Sequence, residues 1–585
     1  MEHSGGRRRK ILTFNTASPS LFRTRLPESI PSPVIAPREP ARIQVLRRIA
    51  FHPTARALLI FCAWMLPGLI GHDPWKPDEG YTFGLVNHIL RTGDWVVPTL
   101  AGEPFMEKPP VFYLVAALFA KLASPFLPLY DGARLACAFF VGLAALFTAR
   151  ASSVLLPSRP VWVAPLLLIG SVGLLIHAHQ LVPDNAMLCG FAIAIYGFAL
   201  ALGRPLAGGF WLGTGIGLGF AAKGLLAPGV IGITALLLPA IYAQWRTRRY
   251  LAALGIAFLA AAPWLGIWPV ALYLRSPQLF IDWFWTNNFG RFFGFAHLGP
   301  RAEPYAYPKL LLWFALPSLP FALRALWIRR RDLRTDAALQ ITTTVFATMF
   351  TVLSAAADAR ELYAMPFLIP LALLGVYGLE NLPPVVSRGL HWFTVLLFTG
   401  LALAVWACWF AVDLEFSAQL SATLQQKQPL YAPHVQLWLV CIAVAYSAGW
   451  LVLAAIRPSR YRPAMIWAAG VATAWGLLGT LMVNWYDMGM SYRAMLPEFV
   501  RALPAGHHCI ASSGLGESQR AMFEYFAGIV TARQENALSR SDCDVLLIQT
   551  LDRGALSPGQ PWVPIWDGSR PGDRHEHFWL YRKAM

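Results

Sequence analysis

Long apolar stretches separated by short polar segments dominate the chain. Thirteen are long enough to cross the roughly 30 Å hydrocarbon core of a bilayer as helices. The predicted spans are 57–71, 133–151, 160–177, 185–203, 208–222, 224–243, 250–273, 308–328, 337–356, 362–379, 391–413, 435–456 and 463–485. A further apolar segment, 109–123, is short for a crossing and carries Lys121. The pattern predicts an all-α polytopic membrane protein.

The two ends of the chain follow other patterns. Residues 1–56 are rich in Arg, Pro and Ser without a helical apolar period, which predicts a disordered basic arm. The first apolar run begins too late for a cleavable signal peptide, so we expect it to remain as the first membrane helix. Residues 486–585 are expected to form a small α/β domain, with strands in "HHCIASS" and "DVLLIQT" and a helix in "ESQRAMFEYFAGI".

Charge assigns the polar segments to two sides of the membrane. The chain is 56% hydrophobic and 14% charged, which excludes an ordinary soluble domain. Its net charge of +17 comes from short basic clusters between apolar runs, as in cytoplasmic loops and unlike a nucleic-acid-binding surface. If 109–123 crossed the membrane, the clusters at 246–249, 329–334 and 457–462 would lie outside. We therefore expect this segment to lie along the outer interface, with the N-terminus cytoplasmic and the C-terminal domain periplasmic.

Two of the seven cysteines lie outside the apolar runs. Cys509 and Cys543 flank the two predicted strands of the outer domain, where the compartment permits a disulfide. The sequence does not fix the distance between their Cα atoms, so both the bonded and the free forms remain open.

The first outer loop, 72–132, concentrates charged side chains directly after a membrane helix. Its charged residues include Asp73, Asp78, Glu79, Asp94, Glu103, Glu107 and Lys108. Acidic groups at a membrane surface are costly unless they are solvated or used. A solvated loop would explain them singly, but not the ordered motifs Pro-Asp-Glu, Gly-Asp-Trp and Glu-Lys-Pro-Pro.

These motifs resemble the first periplasmic loop of GT-C glycosyltransferases, in the branch of the lipid A aminoarabinose transferases and protein O-mannosyltransferases. The resemblance extends to the arrangement of about 13 helices followed by a periplasmic C-terminal domain. It implies that Asp78 lies at the reaction centre with Glu79 beside it, and that Asp184 stands at the outer start of a helix in support. It also implies that Lys108, next to Glu107, contacts the carrier phosphate.

Looser matches add further candidates. "GLGFAAKGLLAP" places Lys223 after a span, and Arg291-Phe292 follow Asn287-Asn288 where the family has Glu-His. The segment "SAAADARELYAMPF" supplies a further cation and a tyrosine. By resemblance, the phosphate-binding cations are Lys108, Lys223, Arg291 and Arg360, and the substrate-binding residues are Glu107, Tyr81 and Tyr363. A divalent metal, if bound, would be held by Glu107 and His297.

The resemblance implies an inverting glycosyltransferase of the bacterial inner membrane. Its donor would be a polyprenyl (undecaprenyl) phosphate sugar, and its acceptor a periplasmic molecule such as lipid A, a glycan or a protein. Such a transfer needs cations at the departing phosphate and a carboxylate at the acceptor hydroxyl. Several converging cations would make a metal unnecessary.

Two other classes remain to be weighed. A lipid-linked-sugar transporter or flippase also has many spans, but its charges should lie at mid-depth in the membrane rather than in outer loops. A scaffold presenting the C-terminal domain would leave the acidic loop without a role.

Overall fold

The structure is a computed structural model that describes residues 53–296, 302–380, 382–455, 460–535, 542–551, 558–559 and 561–584. The basic arm predicted over 1–56 lies outside these ranges except for its last four residues, which begin the first helix. Most of the described chain is helical.

The helices are connected by short turns. In chain order the α-helices are Pro53–Met65, Asp78–Thr92, Val111–Ala123, Leu129–Leu155, Val163–Ile169, Val172–His177, Asp184–Ala201, Pro205–Lys223, Leu226–Ile241, Arg248–Arg275, Pro277–Ile281, Arg291–Phe293, Ala306–Phe314, Ser318–Arg329, Ala337–Ala355, Leu368–Glu380, Pro384–Asp413, Ala418–Lys427, Leu437–Ala455, Arg462–Leu481, Val483–Met490, Leu496–Ala502 and Glu517–Ala527. Short 3-10 helices lie at Ala243–Trp245, Arg330–Arg334 and Glu361–Phe367, and a π-helix covers Asp282–Gly290.

Eight helices of the described residues are long and apolar enough to cross a membrane. A ninth span results if Ala306–Phe314 and Ser318–Arg334, which meet at a bend of 102°, are counted together. Other apolar runs fold as shorter elements: 160–177 divides into Val163–Ile169 and Val172–His177. The polytopic helical fold is thus confirmed, whereas the count of thirteen spans stays a prediction.

The segment 109–123 forms a single short helix, Val111–Ala123. Its 13 residues correspond to about 20 Å at 1.5 Å per residue, which is less than the hydrocarbon core. The helix packs against Leu129–Leu155, while Leu118 and Leu122 are exposed. This length suits the expected position along the interface, which stays a prediction.

Glycines permit close packing of three helices that position part of the site. A Cβ at Gly197 would lie 2.4 Å from the backbone nitrogen of Leu212, and one at Gly213 would lie 2.2 Å from the carbonyl oxygen of Ala257. Small residues at such contacts let helix backbones approach directly. As a result, the first residue of helix Asp184–Ala201 and the last residue of helix Pro205–Lys223 lie side by side.

In the part of the chain that the structure describes, seven strands form two sheets, with a small hairpin of β1 (Thr99–Leu100) and β2 (Glu103–Pro104) in the first outer loop. The C-terminal domain contains β3 (Ile510–Ser513), β4 (Ala532–Arg533), β5 (Val545–Thr550), β6 (Trp562–Gly568) and β7 (His577–Lys583). Their order is β4-β3-β5-β7-β6. Strand β3 is parallel to β4 and β5, and the other pairs are antiparallel.

The expected α/β character of the C-terminal region is confirmed. Both predicted strands are present as β3 and β5, and the predicted helix is Glu517–Ala527. Cys509 and Cys543 form a disulfide with their Cα atoms 4.8 Å apart, just before these strands. The question that the sequence left open is thus answered by the parallel pairing of β3 with β5.

The C-terminal domain packs on the first outer loop through two helices that nearly touch. A Cβ at Gly80 would meet the Cβ of Ser518 at 2.9 Å, and a Cβ at Gly84 would meet that of Ala521 at 2.7 Å. The Ser518 hydroxyl donates a hydrogen bond to the carbonyl of Pro77. The domain therefore forms part of the surroundings of Asp78.

Candidate functional site

A buried arginine fixes the loop that carries the Asp-Glu motif. Arg134 has no exposed surface and donates to Glu79 Oε1 at 3.0 Å and to Asp131 Oδ1 at 2.6 Å. It also donates to the carbonyl oxygens of His72 at 2.9 Å and Asp73 at 2.7 Å. The charge of Arg134 is therefore neutralised by two carboxylates, and its other donors hold the backbone that leads to Asp78.

Glu79 belongs to this buried network. Its Oε1 also accepts from the backbone nitrogen of Leu181 at 3.0 Å, and its Oε2 from that of Trp75 at 3.1 Å. Burial opposes its ionisation, but the Arg134 guanidinium outweighs this effect and holds the pKa of Glu79 below its usual range. Glu79 thus contacts the scaffold of the loop.

Asp78 lies on a different side of the same helix, because successive helical residues are about 100° apart. It is half-buried and lines a cavity of about 810 Å³, which we call the polar cavity. The Tyr81 hydroxyl donates to Asp78 Oδ1 at 3.2 Å, and Lys108 Nζ donates to the same hydroxyl at 2.8 Å. A chain of hydrogen bonds therefore joins Lys108 to Asp78.

Glu107 lies between two cations. Lys108 Nζ is 3.4 Å from Glu107 Oε2, and Arg291 Nη1 is 2.5 Å from Glu107 Oε1. Burial opposes ionisation of Glu107, but the charges of Lys108 and Arg291 hold its pKa well below the usual range. Burial likewise disfavours the charged form of Lys108, yet the Glu107 carboxylate raises its pKa. All three side chains are therefore charged at neutral pH.

A second ion pair lies where two tightly packed helices end. Lys223 contacts Asp184 Oδ1, and the Lys223 ammonium stands 4.4 Å from the centre of the Tyr363 ring. Asp184 is fully buried, and its Oδ2 has no hydrogen-bond partner among the described residues. Lys223 is thus held by one carboxylate oxygen and one aromatic face.

Next to the polar cavity lies a second one of about 320 Å³, which we call the apolar cavity. Its charged lining comprises Glu107, Lys108, Lys223, Arg291 and Asp358. The rest is mostly apolar and includes Leu225, Leu226, Ile233, Phe289, Phe292, Phe293, Val352 and Leu353. The polar and apolar cavities share Glu107, Asn287 and Arg291, so they meet at the Glu107–Arg291 ion pair.

The structure brings most of the sequence-predicted residues together. Those that line one or both cavities are Asp78, Tyr81, Glu107, Lys108, Lys223, Arg291, Arg360 and Tyr363. Asp184 lies directly behind Lys223, whereas Glu79 is turned into the network of Arg134. Arg360 lines the polar cavity with its Nε 3.5 Å from Asp358 Oδ2.

The described residues do not form the metal site considered from the sequence. His297 lies outside the described ranges, and within them no three or more His, Cys, Asp or Glu side chains are grouped to hold a metal ion. Both oxygens of Glu107 face cations rather than an open position. The site of Glu107 and His297 therefore stays a prediction, and no step below uses a metal.

Sequence reasoning missed several residues near the site. The polar cavity is also lined by four residues of the C-terminal domain, Glu517, Ser518, Gln519 and Glu576. They lie more than four hundred positions after Asp78 in the sequence, so no local pattern connects them to it. Arg134 was missed although an arginine within an apolar run is itself a signal, since such a charge needs a buried partner. Asp358 was passed over in favour of its neighbour Arg360.

Comparison with solved structures identifies the class of fold. The chain matches the crystal structure of ArnT from Cupriavidus metallidurans bound to undecaprenyl phosphate with a TM-score of 0.64 and 15% identity. The match covers 92% of this chain and 98% of that chain, and the apo structure agrees equally well at 16% identity. The protein therefore has the same fold as these ArnT structures.

Several curated proteins are similar in sequence to this chain. An undecaprenyl phosphate-α-4-amino-4-deoxy-L-arabinose arabinosyl transferase of Pseudomonas aeruginosa is 28% identical over 478 residues, covering 78% of this chain and 80% of the relative. A transferase with the same name from Pseudomonas paraeruginosa is 28% identical over 497 residues, covering 81% and 84%. No family profile matches the chain. The chain is thus similar in sequence to these arabinosyl transferases over most of its length.

Proposed function

We propose that the protein is an inverting glycosyltransferase that uses a polyprenyl-phosphate sugar as its donor. The observation that carries this proposal is the meeting of the two cavities at Glu107 and Arg291. One cavity offers apolar surface and cations, and the other offers the carboxylate of Asp78. A lipid-linked sugar phosphate has these same two halves, a prenyl chain ending in an anion and a polar sugar.

The phosphate is bound by Lys108, Arg291 and Lys223 at the polar end of the apolar cavity. Charge-assisted hydrogen bonds to phosphate oxygens strengthen as negative charge grows on the departing group. Lys108 and Arg291 are already oriented by Glu107, so little reorganisation is required. The prenyl chain lies against the apolar side chains that line the rest of this cavity.

The transfer itself takes place at the boundary of the two cavities. The acceptor oxygen attacks the anomeric carbon from the side of Asp78, while the bond from that carbon to the phosphate oxygen breaks. Asp78 takes the proton of the attacking hydroxyl, and the polyprenyl phosphate leaves with the bonding electron pair. Attack opposite the leaving group inverts the anomeric carbon.

The relatives suggest the donor. They are named for undecaprenyl phosphate-α-4-amino-4-deoxy-L-arabinose, and we propose the same donor class for this chain. The acceptor is a periplasmic molecule. We propose lipid A as the first candidate, and another glycan or a protein as the alternatives. The enzyme would lie in the bacterial inner membrane with its N-terminus cytoplasmic and its site and C-terminus periplasmic.

The placement of the charges supports a transferase over a transporter. Asp184 is the first residue of its helix and Lys223 the last residue of another, so this ion pair lies at helix ends. Charges along a transport route are expected near the middle of the membrane.

Purified protein in nanodiscs, supplied with undecaprenyl-phosphate aminoarabinose and lipid A, tests the proposal. Mass spectrometry should show an acceptor gaining one pentosamine residue and the release of undecaprenyl phosphate. The Asp78→Asn variant should bind undecaprenyl phosphate and give no product on the same timescale. Movement of the donor between leaflets without any transfer would instead identify a flippase.

A further inference from the structure

Asp358 is a buried acid that the mechanism above does not use. Its side chain is 6% exposed, yet neither carboxylate oxygen has a hydrogen-bond partner among the described residues. The nearest cation is Arg360, whose Nε lies 3.5 Å from Asp358 Oδ2 without forming a hydrogen bond. A buried carboxylate without donors is costly, so such a group is expected to be completed by a ligand.

The position of Asp358 is fixed beside the phosphate-binding cations. The residue lines the apolar cavity together with Lys108 and Arg291, and it also lines a neighbouring cavity of about 1080 Å³. The backbone nitrogen of Ala357 donates to the carbonyl oxygen of Phe292 at 2.9 Å. This hydrogen bond ties the Asp358 segment to the segment that carries Arg291.

The other acid of the apolar cavity is already engaged. Glu107 contacts Lys108 and Arg291, and Asp184 behind the cavity contacts Lys223. Among the described residues that line this cavity, Asp358 is thus the carboxylate whose two oxygens accept no hydrogen bond, although Oδ2 lies 3.5 Å from Arg360. Asp358 can accept hydrogen bonds from a cationic group of a ligand. The same group would be repelled by the positive charges of the two lysines and Arg291.

We infer that Asp358 binds the protonated amino group of the donor sugar and makes the protein select an amino sugar over its hydroxyl counterpart. This inference rests on the proposed function. A hydroxyl would donate one hydrogen bond and leave Arg360, which donates none, as the balancing charge of Asp358. An ammonium supplies both hydrogen bonds and a second positive charge. The donor would then be held by opposite charges at its two ends, with its phosphate on the cations and its amine on Asp358.

The test compares two donors that differ at one position. Transfer is measured with undecaprenyl-phosphate 4-amino-4-deoxyarabinose and with undecaprenyl-phosphate arabinose, which carries a hydroxyl there. For the native protein, kcat/KM should favour the amino sugar by about tenfold or more, since unpaired polar groups reject the poorer ligand. In Asp358→Asn that preference should fall by about the same factor, through loss with the amino donor while the hydroxyl donor changes little.

Binding of undecaprenyl phosphate, which carries no sugar, separates this role from a structural one. Asp358→Asn and the smaller Asp358→Ser should bind it as the native protein does, as should the exposed control Glu498→Gln. If both Asp358 variants lose this binding, or if both donors slow equally, Asp358 only supports Arg360 and the inference is wrong. If the native protein transfers neither sugar, the proposed function itself fails.

Discussion

The Asp78-Glu79 pair allows the sharpest test of the site, because the structure assigns its two acids different tasks. Asp78 lines the polar cavity, while Glu79 is 2% exposed and paired with Arg134. Replacing each by its amide removes one negative charge with almost no change in volume. We therefore expect Asp78→Asn to impair chemistry and Glu79→Gln to impair folding.

The size of each effect follows from these contacts. In the proposed mechanism Asp78 is the general base, and removal of a general base costs at least about 100-fold in rate. Donor affinity should persist, because the proposed phosphate site is formed by Lys108 and Arg291 rather than by Asp78. Breaking a buried ion pair costs about 3 to 5 kcal/mol. For Glu79→Gln we expect the lower end, about 3 kcal/mol, because Asp131 remains 2.6 Å from Arg134 and still balances its charge.

Three measurements on each purified variant separate these outcomes. They are the turnover of the lipid-linked sugar, the affinity for undecaprenyl phosphate and the temperature of unfolding in detergent. Glu498→Gln, which changes an exposed acid of the C-terminal region, serves as the matched control. Near-normal turnover by Asp78→Asn together with a stable but inactive Glu79→Gln would move the catalytic role to Glu79. Full activity of both variants would remove the loop from the reaction.

Four further predictions address other parts of the molecule. Lys108→Met should weaken undecaprenyl phosphate binding by about 10- to 150-fold, equivalent to about 1.5 to 3 kcal/mol for a charge-assisted contact. The control Lys121→Met, which changes an exposed lysine, should bind as the native protein does. If Lys108→Met also binds with native affinity, Lys108 is not part of the site. Gly84→Leu should separate the C-terminal domain from the first outer loop, because a Cβ at this position would meet the Cβ of Ala521 and the Cδ1 of Leu100 at 2.7 Å. Limited proteolysis should then release fragments from this variant. The control Gly255→Leu, where a Cβ has no neighbour within 4 Å, should release none of them. Burial and the nearby Asp73 carboxylate raise the pKa of Asp487 to about 6, so as pH rises the unfolded state loses this proton before the folded state does, and the free energy of unfolding should fall between about pH 4 and 6. The Asp487→Asn variant should therefore be more stable than the native protein at pH 8 but not at pH 4. An equal difference in stability at both pH values would contradict this prediction. Alkaline phosphatase fused after residue 585 should be active, and an inactive fusion would place the C-terminus in the cytoplasm.

The sequence by itself determined the class of the protein, because the bilayer and local periodicity leave few choices. Apolar runs in lipid must satisfy their backbone groups internally, so they fold as helices. Short apolar stretches likewise predicted strands β3 and β5 in the C-terminal domain. The motifs around Asp78 and Lys108 named side chains that do line the cavities.

Only the tertiary structure decided how these side chains are paired. Arg291 reaches Glu107 across 184 positions, and Ser518 reaches Pro77 across 441, contacts for which no local pattern exists. The division of the Asp-Glu motif into a cavity-lining Asp78 and a buried Glu79 depends on Arg134, which comes from another helix. Several apolar runs fold as short or bent helices, because hydropathy reflects the composition of a segment and does not predict where a helix ends or bends. Burial and pairing are properties of the packed chain, so the partner of each charge emerged only from the fold.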